Sequence, residues 1–337
     1  MTDSPLDQSR SEILRVGLLR ESYDQALDVA GDVWPTPALA LAHLLQRGVS
    51  HLSSGELRPI EGNAPHDLLA SLHEARDELL TLEASYMLIR YLAYCLTRDA
   101  STLEATWVTL ADQHLDDRAR IVEARRREEH LKRELLRYGE QLVTLPEHGE
   151  LPEVAPDRPR KSRGMFAGLF DGAEAAEIAL EVPSGVVSAA DRVARDRGWT
   201  AEWGDDARLL VLTHGISLAL REREADAIDG DDEGSVRSAF SDARRRTMQL
   251  EGRYATLRLR FFELRHNQRI LGWRVTALQI EAQGMRRRLD VFAEDRERLE
   301  ALLEARRAEG PPPPEHDAAA PRLTGWRGLM DRLFSSR

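Results

Sequence analysis

The chain has 337 residues, enough for two ordinary domains or one elongated one. Charged residues make up 31% of it against 42% hydrophobic and 6% aromatic, a balance that favours long exposed helices over a compact β core and predicts an all-α fold. A formal net charge of −11 argues against a protein that coats nucleic acid with its whole surface, although a local basic patch stays open.

The opening "MTDSPLDQSRSEILRVG" is polar and acidic, without the basic start and apolar core of a secretory signal. No uninterrupted apolar run approaches a membrane span. The one cysteine, Cys95, sits in the apolar run "YLAYCL" and reads as a small buried hydrophobe. No intramolecular disulfide is expected, which fits a reducing cytoplasm.

Two stretches of the chain match each other. "TLEASYMLIRYLAYCLTRDASTLEATWVTL" lies over "QLEGRYATLRLRFFELRHNQRILGWRVTAL" without a gap, so that Leu82, Glu83, Tyr86, Arg90, Leu96, Leu103 and Leu110 meet Leu250, Glu251, Tyr254, Arg258, Leu264, Leu271 and Leu278 at one constant offset. Upstream, "IEG" meets "IDG", "RGVS" meets "HGIS", and "VAGDVW" meets "VARDRGW". The ordered series predicts a tandem duplication of one helical module.

In chain order the prediction is a helical repeat over 1–142, a Pro-rich basic spacer over 143–163, an amphipathic knot over 164–174, a second helical repeat over 175–309, a Pro-rich spacer over 310–321 and a C-terminal amphipathic helix over 322–337. Each repeat opens with a helical segment, "SEILRVGLLRESYDQALDVAG" or "AEIALEVPSGVVSAADRVARD", and continues into a second one, "PALALAHLLQRGVS" or "ARLLVLTHGIS". Trp34 and Trp199 at the boundaries read as core plugs, and Gly48 and Gly215 as points of close packing.

Two long stretches with apolar residues at three- and four-residue steps follow in each repeat, about 66–97 and 101–141, matched by 234–265 and 268–308. Asp99 and Ser101 in "TRDAST" are candidate caps, so a coiled-coil-like helical hairpin is expected in each repeat. The Arg- and Glu-rich ends of these helices read as solvated flanks laced with salt bridges, and as a route to homo-oligomers.

Catalytic chemistry finds little footing. There is no Gly-rich phosphate loop, GxSxG elbow, HExxH or paired-Cys motif. Glu263 and His266 have the ExxH spacing of a di-iron helix, but the matching residues of the first repeat are Cys95 and Arg98, which removes the pairing such a site needs. His43, His73, His114 and His130 share no common face and read as surface or hairpin residues. No enzymatic activity, metal or cofactor is expected. An arginine-rich stretch over 244–288, interleaved with Tyr254, Phe261 and Phe262, offers a nucleic-acid reading, disfavoured because the first repeat is much less basic there.

The strongest functional pattern lies in the knots. "RLTGWRGLMDRLFSSR" gathers Leu323, Trp326, Leu329, Met330, Leu333 and Phe334 on one helical face, with Arg322, Arg327, Arg332 and Arg337 around it, after the spacer "EGPPPPEHDAAAP". "LPEHGELPEVAPDRPRKSR" likewise ends in Arg160, Lys161 and Arg163 and leads into Met165, Phe166, Leu169 and Phe170. Bulky apolar side chains beside arginines describe an interfacial helix or a peptide that fills a partner's groove. The tail "GLMDRLF" resembles the C-terminal membrane-targeting helices of bacterial division and positioning proteins of the MinD and FtsA kind, a short likeness that implies reversible binding to a membrane surface. The sequence therefore predicts a non-enzymatic scaffold or adaptor in the cytoplasm or on the inner face of its membrane, with a protein partner or an anionic membrane surface as its target. A third possibility is that both knots only cap their own repeats.

Overall fold

The computed structural model describes residues 11–31, 33–54, 65–139, 170, 172–226 and 233–310. The fold is all-α in class, with helices taking up most of the described chain. In order the elements are β1 (Ser11–Leu19), α1 (Arg20–Ala30), α2 (Pro37–Ser54), α3 (His66–Arg137), β2 (Ala175–Pro183), α4 (Ser184–Asp196), α5 (Trp199–Trp203), a 3-10 turn (Gly204–Asp206), α6 (Ala207–Asp226) and α7 (Glu233–Glu309).

Two expectations about the secondary structure are corrected. The first concerns the opening segment of each half, which begins as a strand rather than a helix. β1 and β2 pair antiparallel, with Leu14 opposite Leu180 and Val16 opposite Ile178. Ile178, Leu180 and Val182 alternate with Glu177, Ala179 and Glu181, the period of two that a half-buried strand requires. The helix-forming Ala, Glu and Leu in "AEIAL" mask that period until a partner strand from the far half of the sequence supplies its ladder.

The second correction concerns the hairpins. α3 runs unbroken over 72 residues and α7 over 77. The supposed break at "TRDAST" stays helical because its hydroxyls serve the helix itself: Ser101 Oγ donates to the Thr97 carbonyl at 3.0 Å and Thr102 Oγ1 to the Arg98 carbonyl at 3.1 Å. Such back-bonding to the previous turn leaves no side chain to cap a new one.

The described chain divides into two compact units. The first holds β1, α1, α2, β2, α4, α5 and α6, together with α3 as far as Leu103 and α7 as far as Leu271. Its core gathers Leu18, Leu41, Leu44, Leu45, Leu180, Val182, Leu210, Val211, Leu212 and Ile216 with Ala84, Leu88, Ile89 and Ala93 of α3 and Leu257, Phe261 and Leu264 of α7. α3 is long and apolar enough over one 18-residue window to cross a membrane, by length and composition only. Its most apolar stretch, "LLTLEASYMLIRYLAYCL", instead contributes Leu79, Leu80, Ala84, Leu88, Ile89 and Ala93 to the buried side chains of this unit.

At the centre of the first unit α2 crosses α6 through two glycines. A Cβ on Gly48 would press into the carbonyl oxygen of Val211 and lie 3.1 Å from the Gly215 nitrogen. A Cβ on Gly215 would press into the Leu44 carbonyl and lie 3.0 Å from the Gly48 nitrogen. Only hydrogen at both positions lets the two backbones touch, so the close-packing reading of these glycines is the physical one. The tryptophans behave less uniformly. Trp34 is half-buried and stacks on His43 at 4.6 Å, Trp199 packs on the edge of the core, and Trp203 is the buried plug.

Side by side in the first unit, α3 and α7 run parallel. Leu72 packs with Val236, and Ala75 and Leu79 with Ala243. Glu78 accepts from Arg244 at 2.7 Å and Asp99 from Gln268 at 3.4 Å.

The second unit consists of α3 from Glu104 and α7 from Gly272. Here too the helices run parallel: Ile121 meets Met285 and Phe292, and Leu135 meets Leu299 and Leu303. Buried α7 positions Val275, Leu278, Ala282, Met285, Phe292, Leu299 and Leu303 fall at steps of three, four or seven. The flanks carry i to i+4 ion pairs such as Arg127–Glu123 and Lys132–Glu128.

One expectation about histidine fails in this unit. His114 is completely buried rather than superficial, with Nε2 3.3 Å from Glu281 Oε2. It occupies an inward position of α3, one heptad from both Trp107 and Ile121, which are also buried.

Candidate functional site

Most residues of the two knots lie outside the described residues: Arg160, Lys161, Arg163, Met165, Phe166 and Leu169 of the internal one, and Arg322, Trp326, Arg327, Leu329, Met330, Arg332, Leu333 and Phe334 of the terminal one. Phe170 is described. It is half-buried, packs against the core of the first unit, and meets the Tyr94 ring edge-on at 6.0 Å and 77°.

Phe170 also forms one wall of a groove of about 550 Å³. Tyr86 and Arg90 of α3 line it, with Gly252, Arg253, Thr256 and Arg260 of α7 opposite. Arg90 is committed, paired with Glu21 at 3.0 Å and placed over the Tyr86 ring at 5.7 Å. Open space surrounds Gly252, so the groove floor there is bare backbone. Thr256 donates its hydroxyl proton to the Gly252 carbonyl at 2.8 Å. Sequence reasoning matches Tyr86 and Arg90 to Tyr254 and Arg258 without assigning a site. The groove is not legible there because its walls come from three segments far apart in the chain.

Further polar features of the first unit lie within its helical core. His51 Nδ1 and His214 Nε2 are 2.9 Å apart at the α2–α6 crossing, both buried. Burial, with the neighbouring His51 and Arg197, pushes His214 down to about 3, and burial lowers His51 too. Both rings are therefore neutral near pH 7, one donating to the other. Cys95 is half-buried, and burial raises its thiol, aided by Asp99 and Glu177, while the Tyr91 hydrogen bond and Arg98 oppose the rise. A thiol shifted upward is a poor nucleophile at neutral pH, in keeping with the packing role read from the sequence. Among the described residues no group of three or more His, Cys, Asp or Glu is arranged to hold a metal ion.

The arginines of the 244–288 stretch are largely occupied. Arg244 bonds Glu78, Arg245 bonds Asp242, and Arg258 bonds Glu202 at 2.9 Å. Arg274 lies over the Trp107 ring at 5.0 Å, and Arg286 reaches Gln113 at 3.5 Å.

Outward-facing apolar side chains form the remaining feature. In the second unit Val108, Leu115, Val122 and Leu136 of α3 are 43%, 38%, 38% and 56% exposed, and Trp273 and Ile280 of α7 are 77% and 65% exposed. Neighbouring members of the first series stand one or two heptads apart, and the α7 pair one heptad.

No protein-family model, curated protein or solved structure matches this chain. The geometry defines a helical protein with a core closed by a two-stranded ribbon and two long helices that lie parallel in each of its units.

Proposed function

We propose that the protein is a non-enzymatic scaffold or adaptor, a tandem duplication whose long helices pair as an intrachain parallel coiled coil, assemble with further copies, and carry tethered amphipathic segments to an anionic membrane surface or a partner protein. Duplication is supported by the recurring order of strand, shorter helices and one long helix, and by contacts such as Ala75 with Ala243, which are matched positions in the sequence. The coiled coil is supported by the three- and four-residue spacing of inward positions on α7.

The observation that carries the scaffold reading is the outward apolar series of the second unit. A two-helix rod in water needs one seam. The exposed Val108, Leu115, Val122 and Leu136 give α3 apolar surface beyond that seam, and apolar side chains repeated at heptad steps suit packing against further helices. In sedimentation-velocity runs the intact protein is expected to be larger than a monomer and to lose mass on Leu115→Glu with Val122→Glu. A monomeric wild type would refute assembly through this face.

Docking is tested by co-sedimentation of the full chain and a 1–320 truncation with anionic and neutral vesicles. Weaker binding of the truncation to anionic vesicles is expected, whereas no binding by either removes the membrane target and leaves a partner protein. A specific observation favours the cap reading for the internal knot: Phe170 packs on its own core. The terminal segment is therefore the main docking element. The nucleic-acid reading receives less support, because many of its arginines are tied to acidic side chains or rings.

A further inference from the structure

We infer that the groove between Tyr86, Phe170 and α7 is a binding site for a phosphate-bearing anion, held by Arg253 and Arg260. The inference is independent of the docking proposal above.

Three observations carry it. First, neither guanidinium has an ion pair or hydrogen bond among the described residues, in a chain whose net charge is −11. Acidic side chains do reach the neighbouring arginines: Glu202 takes Arg258 and Glu21 takes Arg90. Both α7 arginines that line the groove lack such an acidic partner among the described residues. Second, Arg253 and Arg260 stand one heptad apart, two helical turns or about 10.5 Å along the same side of α7. Gly252 and Thr256 lie at the groove between them, and no side chain rises from Gly252. A group entering there has two planar forks on either side, the geometry that suits phosphate oxygens.

The third observation is the contrast with α3. The α3 residues that the sequence match sets against Gly252, Thr256 and Arg260 are Ala84, Leu88 and Leu92. Ala84 and Leu88 are buried in the core and Leu92 packs against it. On α3 this face is covered by protein and is apolar. On α7 the same positions are exposed or half-buried, and the residues there are Gly, Thr and Arg. The α7 face is not a spare copy of the packing face but one converted to cationic chemistry.

Charge matching selects phosphate over carboxylate. Two unpaired monocations balance a group of charge between about −1.5 and −2 at neutral pH, and a single carboxylate would leave one of them uncompensated. The volume of about 550 Å³ is within the range of roughly 300–1,000 Å³ usual for small-ligand sites, and the Tyr86 and Phe170 rings supply apolar walls for whatever carries the phosphate. Two sources share this chemistry, a soluble phosphomonoester and the phosphomonoester headgroup of phosphatidic acid.

Isothermal titration of the full-length protein with inorganic pyrophosphate at low salt, beside co-sedimentation with phosphatidic-acid-containing and pure phosphatidylcholine vesicles, tests the assignment. The variants are Arg253→Gln with Arg260→Gln, and a charge-matched control, Arg269→Gln with Arg287→Gln, at two exposed arginines away from the groove. Pyrophosphate binding is expected to weaken at least tenfold in the groove variant and to stay within twofold in the control. If vesicle binding falls with it, the source is a headgroup; if vesicle binding is unchanged, it is a soluble phosphate. Absence of pyrophosphate binding by the wild type overturns the proposal, as does equal weakening in both variants. Circular dichroism of both variants checks that each keeps the helical content of the wild type.

Discussion

The glycine crossing of α2 and α6 makes a prediction whose sign depends on position alone. A glycine inside a helix costs roughly 1 kcal/mol relative to alanine, so Gly→Ala is by default stabilising. At Gly284, where nothing lies within 4 Å of a built Cβ, that default holds and Gly284→Ala gains about 0.5 to 1 kcal/mol. At Gly48 and Gly215 the new methyl meets backbone carbonyl oxygens, which have no rotamer to give, well inside the 3.4 Å at which ordinary contact begins. The helices must separate by roughly 1 Å, and a gap of that size forfeits about a quarter to a half of each dispersion contact. Leu41, Leu44, Leu45, Val211, Leu212 and Ile216 are all fully buried on these two helices and share that loss. Overpacking of this kind typically costs about 1 to 3 kcal/mol, more than the propensity gain. Gly48→Ala and Gly215→Ala are therefore expected to lower the urea midpoint of the first unit, followed by tryptophan fluorescence and far-UV dichroism, while Gly284→Ala raises that of the second. Were Gly48→Ala to raise its midpoint as Gly284→Ala does, the backbone contact would not exist.

The His51–His214 pair predicts a loss of stability in mild acid. Both rings titrate lower in the folded state than their ordinary 6.5, so their contribution is complete above pH 6.5 and fades as pH falls below it, for His214 down to about 3. For His214 the slope is about 1.4 kcal/mol per pH unit, or about 2 kcal/mol between pH 6.5 and pH 5. Urea midpoints measured across that range should show this slope in the wild type and a shallower one in His214→Leu; equal slopes would mean the pair is not buried. In the second unit, His114→Leu is expected to raise the thermal midpoint, by about 1 kcal/mol in stability, because a buried polar residue in a helical seam specifies register at a cost. A lower midpoint would show that the contact with Glu281 outweighs the gain from an apolar side chain.

Legibility of this molecule from its sequence divides by the range of the cause. Spacing at three- and four-residue steps is local, so Leu72, Leu79 and Ile89 could be placed on an inward face. The glycines were legible because "RGVS" and "HGIS" recur. β1 and β2 were not, since pairing between strands so distant in the chain leaves no local mark on "SEILRVGLL". The break at "TRDAST" was misread because Ser and Thr serve equally as caps and as bonds to the preceding turn; only the Thr97 and Arg98 carbonyls as acceptors decide between them. His51 and His214 differ in their positions along the matched segments, so no repeat pointed to their meeting. Arg253 and Arg260 were hidden within a general richness in arginine, and what sets them apart is that the tertiary fold brings both to one groove beside Tyr86 and Phe170.

The joining of α3 and α7 in one polypeptide has a consequence for what their shared seam can contain. Two separate identical chains in parallel register must face each residue with its own kind, phenylalanine with phenylalanine and alanine with alanine. Here Ala93 and Phe261 are matched positions of the two long helices and lie in one core, and Ala124 packs in the cluster of its own counterpart, Phe292. Small against large is open only to partners encoded separately. With both helices of such a pair in one chain, each is free to specialise, and their meeting no longer depends on how many molecules the cell contains.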